Sequence, residues 1–219
     1  FGVPIFATQT ELMVLAMSSP SFFGQDNTAA FRSRFPVHDE GRTQRFKTCA
    51  VVGSAGHLLN SSLGRDIDAH EMVMRFNEAP TAGFERDVGA RTTHRLLPGL
   101  GATPHIHNFI EQSVFPQRER EQLIFVPNQH ATRSGIEEFL FWLGRANGNG
   151  VHLLSLSFVH FVFNILGSRY TDKTPTTGFF GLVWALDACE QRHHWRKNKN
   201  NWSGPWTRAS RLTRAGWGI

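Results

Sequence analysis

Five residues, Cys49-Ala50-Val51-Val52-Gly53, constrain this chain more than any other feature. An apolar run of that length stopping at glycine predicts a buried strand that leaves its sheet through a tight turn. Leu58, Leu59, Leu63 and Ile67 follow near helical spacing, and Glu71 to Phe76 reads as a second strand closed by Asn77 and Pro80. Strand, glycine turn, short helix, strand is the opening of a parallel α/β sheet. Such sheets bind ligands beyond the carboxyl ends of their strands. Here those ends are Gly53-Ser54-Ala55-Gly56 and Asn77.

The rest of the chain continues the pattern. Arg91 to Leu97 is a third candidate strand, Leu123 to Val126 a short buried one ended by Pro127, and Val151 to Leu156 another. Helical spacing covers Ile136 to Leu143, with Ser134 as a candidate N-cap, and Phe158 to Leu166. Alternating strands and helices imply a Rossmann-like, mostly parallel sheet with helices on both faces. Thr174-Pro175-Thr176-Thr177-Gly178 then leads into an apolar helix over Phe179 to Cys189. Hydroxyl side chains and a glycine at a helix start fit an ordinary threonine cap, and equally an anion site. His105 and His107 alternate in a loop-like stretch without a carboxylate or thiol partner nearby, so no metal is assigned to them.

With 219 residues and 40% hydrophobic content, the chain is long enough for one domain with a sizeable core. No stretch approaches the roughly 18 apolar residues of a membrane helix. The first residue is Phe rather than Met, so this carries no weight for the protein from which the sequence comes. The net charge of +5 is local: seven basic and no acidic residues follow Gln191. The body is therefore mildly acidic, which gives a nucleic-acid or membrane-surface role for the fold no support. Residues 1–46 read as a stem or wrapping segment with one helix around Glu11 to Met17, and 192–219 as a basic tail with four tryptophans. That tail fits a nucleic-acid surface or a segment never selected to fold. Cys49 and Cys189 are the two cysteines, compatible with free buried thiols. Asn60-Ser61-Ser62 and Asn201-Trp202-Ser203 are sequons.

Cys49 to Leu97 resembles the large sialylmotif of animal-type sialyltransferases. Ser61-Ser62-Leu63-Gly64, Ile67-Asp68-Ala69-His70, Arg75-Phe76-Asn77, Ala79-Pro80-Thr81, Gly83-Phe84-Glu85, Asp87-Val88-Gly89 and Thr92-Thr93-His94 fall in that family's order without a gap. The Ala-Pro-Thr and Thr-Thr-His pieces look most like β-galactoside α-2,3-sialyltransferases. The segment around Thr176-Thr177-Gly178 resembles the small sialylmotif, whose turn contacts the CMP part of the donor. The resemblance covers Lys47 to about Gln191, which sets the expected domain at 47–191.

The resemblance implies a metal-independent, cofactor-free, inverting transfer of sialic acid from CMP-sialic acid to a galactose-terminated glycan. It implies a Golgi-lumenal type II membrane protein whose anchor is not in this sequence, and no nucleic-acid partner. It also implies a Cys49–Cys189 disulfide, and a nucleotide held by Ser54, Asn77, Thr176, Thr177 and Gly178. Two departures stand out. Ser54 and His57 replace asparagines of the family, and Ser54 offers one hydroxyl where an amide has separate donor and acceptor. After Glu190 the family's C-terminal motifs are missing or replaced, so the catalytic domain reads as truncated. His194 is the last histidine, which leaves His193 and His194 as the candidates for the base or a phosphate contact.

Overall fold

The computed structural model describes residues 2–10, 35–98, 108–114, 121–127, 141–142, 145, 150–166, 175–195, 197–198, 201–202 and 206–207. Six strands run parallel: β1 (Phe46–Val52), β2 (Met72–Phe76), β3 (His94–Pro98), β4 (Gln122–Val126), β5 (Val151–Leu153) and β6 (Cys189–Trp195). Their order across the sheet is β5-β4-β3-β2-β1-β6. β7 (Lys197–Asn198) and β8 (Asn201–Trp202) make a separate antiparallel ribbon, while β9 (Trp206–Thr207) adds an antiparallel edge beside β6. All five residues of β2 are buried, as a strand covered on both faces requires. The expected parallel α/β sheet is therefore present.

The described residues include the α-helices α1 (Glu40–Thr43), α2 (Gly64–Asp68), α3 (Glu85–Val88), α4 (Leu156–Leu166) and α5 (Thr177–Ala188). Two layers flank the sheet. On one face Val51, Met72, Met74 and Ile124 pack against Phe158 and Val162 of α4 and Phe180, Val183 and Trp184 of α5. On the other, Ala50, Val52 and Val73 pack with Leu58, Ile67 and Val88.

The single helix expected over Leu58 to Ile67 is a 3-10 turn, Gly56–Leu58, followed by α2. Between them Asn60 and Ser62 adopt φ of 62° and 57°, left-handed values that end a helix. The Asp87 carboxylate of α3 accepts their N–H groups at 2.8 and 2.9 Å, and Ser61 Oγ donates to the Asp87 carbonyl at 3.1 Å. That side chain supplies the partners a continuous helix would have provided. The expected strand over Val151 to Leu156 also stops early, because Ser155 Oγ accepts the Phe158 N–H at 2.9 Å and caps α4. The helix expected over Glu11 to Met17, His105, His107 and Ser134 lie outside the described residues; of Ile136 to Leu143 only Phe141 and Trp142 are described, both helical.

The N-terminal strand-like segment lies along the outer edge of β5. Phe6 bridges Leu154, Ala7 N–H donates to the Leu153 carbonyl at 2.8 Å, and Ser155 N–H donates to the Ile5 carbonyl at 2.8 Å. Asp39 holds the same segment by accepting the N–H groups of Ile5 and Phe6 at 2.6 and 2.9 Å. The edge of β5 is thereby paired rather than left open.

Gly181 sets how closely α5 approaches the sheet. A Cβ there would sit 2.5 Å from Phe76 Cε1 and 2.6 Å from Met74 Sδ. Gly181→Val is expected to cost about 1–3 kcal/mol through overpacking, read by urea denaturation. A cost below about 0.5 kcal/mol would mean that the helix does not sit against β2 at this point.

Candidate functional site

The strand order reverses between β1 and β6. From β1 the chain adds β2, β3, β4 and β5 in one direction, then returns through α5 to place β6 on the opposite side of β1. In open α/β sheets that switch point opens the crevice in which ligands sit, beyond the carboxyl ends of the strands. Ser54 follows the end of β1 and is exposed. Asn77 follows the end of β2 and is also exposed.

The third contributor arrives with α5. This helix passes directly into β6 at Cys189, so it runs opposite to the strands and starts at their carboxyl edge. Gly181 lies against Phe76, the residue before Asn77. Thr177 is four residues earlier, about 6 Å further along the axis, beyond the end of the sheet. Thr176 is the N-cap, its Oγ1 accepting the Phe179 N–H at 3.2 Å. Its hydroxyl is thus an ordinary cap, and the anion-binding capacity rests on the first-turn N–H groups of Thr177 and Gly178. Ser54, Asn77 and the 176–178 turn share one edge of the fold.

Asn77 has φ of 51°, a conformation asparagine tolerates better than most residues. Its N–H donates to the Leu96 carbonyl at 2.9 Å, which extends the β2–β3 pairing by one step. Arg95 Nη1 donates to the Asn77 carbonyl at 2.8 Å and to the Ala79 carbonyl at 3.2 Å. Arg95 Nε meanwhile pairs with Glu121 Oε1, and the guanidinium lies 5.1 Å from the Phe109 ring centroid. The neighbouring Arg75 is buried as well. Its Nη2 donates to the carbonyls of Val88, Gly89 and Arg91, and its Nε to Thr92 Oγ1 at 3.0 Å. Burial, and secondarily the charge of Arg95, lowers the Arg75 pKa to about 10. Carbonyl oxygens compensate this cation and tie α3 to the sheet. Arg75 falls within the Arg75-Phe76-Asn77 motif; the contacts of Arg95 and Glu121 at the Asn77 turn were not legible in the sequence, because their partners are backbone carbonyls and each other.

The Cys49–Cys189 disulfide is formed, with a Cα–Cα distance of 6.1 Å, and fastens the start of β6 to β1. His193 and His194 pair in register with Ala50 and Val51, within β6 rather than in a loop past its end. The expected boundary between residues 191 and 192 therefore falls inside a strand. The sequence Cys-Glu-Gln-Arg-His-His-Trp shows no apolar alternation, which hid β6. Among the described residues no three His, Cys, Asp or Glu side chains cluster as metal ligands. Among them, too, no helix is long and apolar enough to cross a membrane.

A parallel sheet with an asparagine turn and a helix start at its switch point defines an open α/β protein of the doubly wound kind. The model of glycosyltransferase family 29, the sialyltransferases, matches residues 15–194, and the chain belongs to that family. It is 51% identical over 172 residues to a β-galactoside α-2,6-sialyltransferase 2 of Xenopus tropicalis, covering 68% of this chain and 31% of that protein. It is 55% identical over 170 residues to the protein of the same name from Takifugu rubripes, covering 72% and 32%. The chain thus spans about a third of the length of these relatives. The expected likeness to α-2,3-sialyltransferases is not supported by these relatives, which bear the α-2,6 name. In structure, a mammalian sialyltransferase in complex with Gal-beta-1-3GalNAc-ortho-nitrophenol superposes with a TM-score of 0.63 at 21% identity, over 92% of this chain and 80% of that one. A second mammalian sialyltransferase gives 0.54 at 23% identity, over 76% and 60%. At such identities the likeness is one of fold.

Proposed function

We propose that the chain binds CMP-sialic acid at the carboxyl edge of β1 and β2 and transfers the sialic acid, with inversion, to a terminal galactose. The observation that carries this is the convergence of Ser54, Asn77 and the start of α5 at the switch point of the sheet. Asn77 and Ser54 would hydrogen-bond the nucleoside, and the N–H groups of Thr177 and Gly178 would face the phosphate. In the reaction the acceptor hydroxyl oxygen bonds to the anomeric carbon as the bond to the CMP phosphate breaks. The hydroxyl proton passes to a base, and CMP leaves with the electron pair. Stabilising the phosphate charge on departure is the task of the α5 start and needs no metal. Following the names of the relatives, the linkage formed is α-2,6 rather than α-2,3. The Cys49–Cys189 disulfide supports an oxidising secretory compartment as the setting of this chemistry, which for this family would be the Golgi lumen.

A second reading, donor binding without turnover, is favoured by one specific observation. His193 and His194, the base candidates, are in register with Ala50 and Val51, which lie one to two residues before the end of β1 rather than beyond it. One experiment separates the readings: incubation with CMP-sialic acid and a galactose-terminated acceptor, alongside calorimetric titration with CMP. Transfer is expected, with a product cleaved by a sialidase that opens α-2,6 linkages and resistant to one restricted to α-2,3. An α-2,3 product would overturn the linkage. Binding of CMP without product would establish the second reading, and a folded chain that neither binds nor transfers would end both.

A further inference from the structure

We infer that Arg95, held by Glu121, is a positioning residue for the nucleotide site: it sets the turn that presents Asn77. This rests on the reading of Asn77 as a nucleotide contact. The turn is demanding. Asn77 takes a left-handed φ of 51°, and Ala79 N–H closes back on the Phe76 carbonyl at 3.2 Å. Two carbonyls of this turn, those of Asn77 and Ala79, point away from solvent toward one nitrogen, Arg95 Nη1. With its carbonyl engaged inward and its N–H engaged by Leu96, the Asn77 backbone has one orientation, and the side chain is left exposed at the carboxyl edge.

The guanidinium is itself fixed from three sides. Its Nε pairs with Glu121, its Cζ lies over the Phe109 ring, and both members of the ion pair are almost fully covered, at 5% and 10% side-chain exposure. A planar fork of donors can hold a carboxylate and two carbonyls at once, which a lysine ammonium on a flexible stem cannot do with the same geometry. Both side chains are buried and Arg95 bonds the turn through its carbonyls, so an effect on binding is transmitted through the turn.

Calorimetric titration of the full chain with CMP tests this in a double-mutant cycle of Arg95→Met and Asn77→Ala. Asn77→Ala alone is expected to weaken CMP binding about 5- to 10-fold, the loss of one hydrogen bond. Arg95→Met alone is expected to weaken it about 3- to 10-fold, and in the Asn77→Ala background by less than about 1.5-fold, since the residue it positions is gone. Arg95→Lys should fall between Arg95→Met and the parent chain. An equal loss from Arg95→Met in both backgrounds would overturn the inference, as would no loss in the parent chain. If Asn77→Ala left CMP binding unchanged, the assignment of Asn77 would fail instead, whatever Arg95 does. Should Arg95→Met not fold, Glu121→Gln, which retains the guanidinium and weakens its anchor, enters the same cycle with the same criteria.

Discussion

Reduction of the Cys49–Cys189 disulfide is expected to lower the stability of this fold by about 5 kcal/mol. The bond closes a loop of 140 residues, and the chain-entropy treatment assigns a loop of that length about 5 kcal/mol, before any native strain is subtracted. A domain of this size has about 5–15 kcal/mol in total, so the loss is a third of its stability or more. The consequence is also local. Cys189 is both the C-cap of α5 and the first residue of β6, so the bond anchors the joint between the helix that starts the candidate phosphate site and the strand on the far side of the switch point. The measurement is urea denaturation of the oxidised chain against the Cys49→Ala/Cys189→Ala double variant, followed by far-ultraviolet circular dichroism. Both cysteines are buried, and two small apolar side chains fill their place with modest loss of packing. A difference below about 1 kcal/mol would show that the cross-link does not restrict the unfolded chain and that β6 is held by strand pairing alone.

The features most legible in the sequence are those that depend on local chemistry. Cys49 to Val52 and Met72 to Phe76 are near-continuous apolar runs, and such runs belong to strands buried on both faces. The start of α5 was legible because threonine and glycine at a helix start have few other uses. The disulfide came from the family resemblance and not from the cysteines themselves, which fit free thiols equally well. What stayed hidden depends on distant partners. The break between Gly56 and Gly64 exists because Asp87, some 25 residues later, accepts the N–H groups of Asn60 and Ser62. Apolar spacing alone reads that stretch as one helix. Arg95 was hidden for a related reason: nothing marks a side chain whose acceptors are the carbonyls of a turn on the neighbouring strand. β6 is the strongest case, since its residues are charged and aromatic. It forms because β1 leaves an open ladder beside it and the disulfide holds its first residue there.

Below neutral pH the stability should fall, with a slope that His94 steepens. His94 is 3% exposed at the start of β3, with Nδ1 2.7 Å from Thr93 Oγ1 and its ring edge-on to Phe46 and Trp184 at 5.4 and 5.3 Å. Among the described residues its Nε2 has no hydrogen-bond partner, and the ring lies in the apolar layer between β3 and α5. Burial first, and then the charges of His152 and Arg91, push its pKa down to about 3, while the nearby Gln122 amide works weakly against the shift. His152, stacked on Phe6 at 4.5 Å, is pushed down to about 4 by burial, with Asp39 opposing. In the unfolded chain a histidine titrates near 6.5. Between that value and the folded one, the unfolded state binds the proton and the native state does not, so stability rises with pH across the window. Above about pH 7 the contribution is complete; as pH falls through 6.5 each such histidine removes about 1.4 kcal/mol per unit, or about 2 kcal/mol from His94 by pH 5. His152 is only partly covered, and its share is smaller. Carboxylates add their own acid dependence, so the decisive comparison is between the parent chain and His94→Gln, whose amide stays neutral throughout. Urea midpoints at pH 8, 6.5, 5.5 and 4.5 should converge toward acid, with the variant's slope shallower by about one proton between 6 and 4.5. Parallel curves would mean that His94 takes up its proton as readily in the native chain as in the unfolded one, and that the packing between β3 and α5 admits water to it.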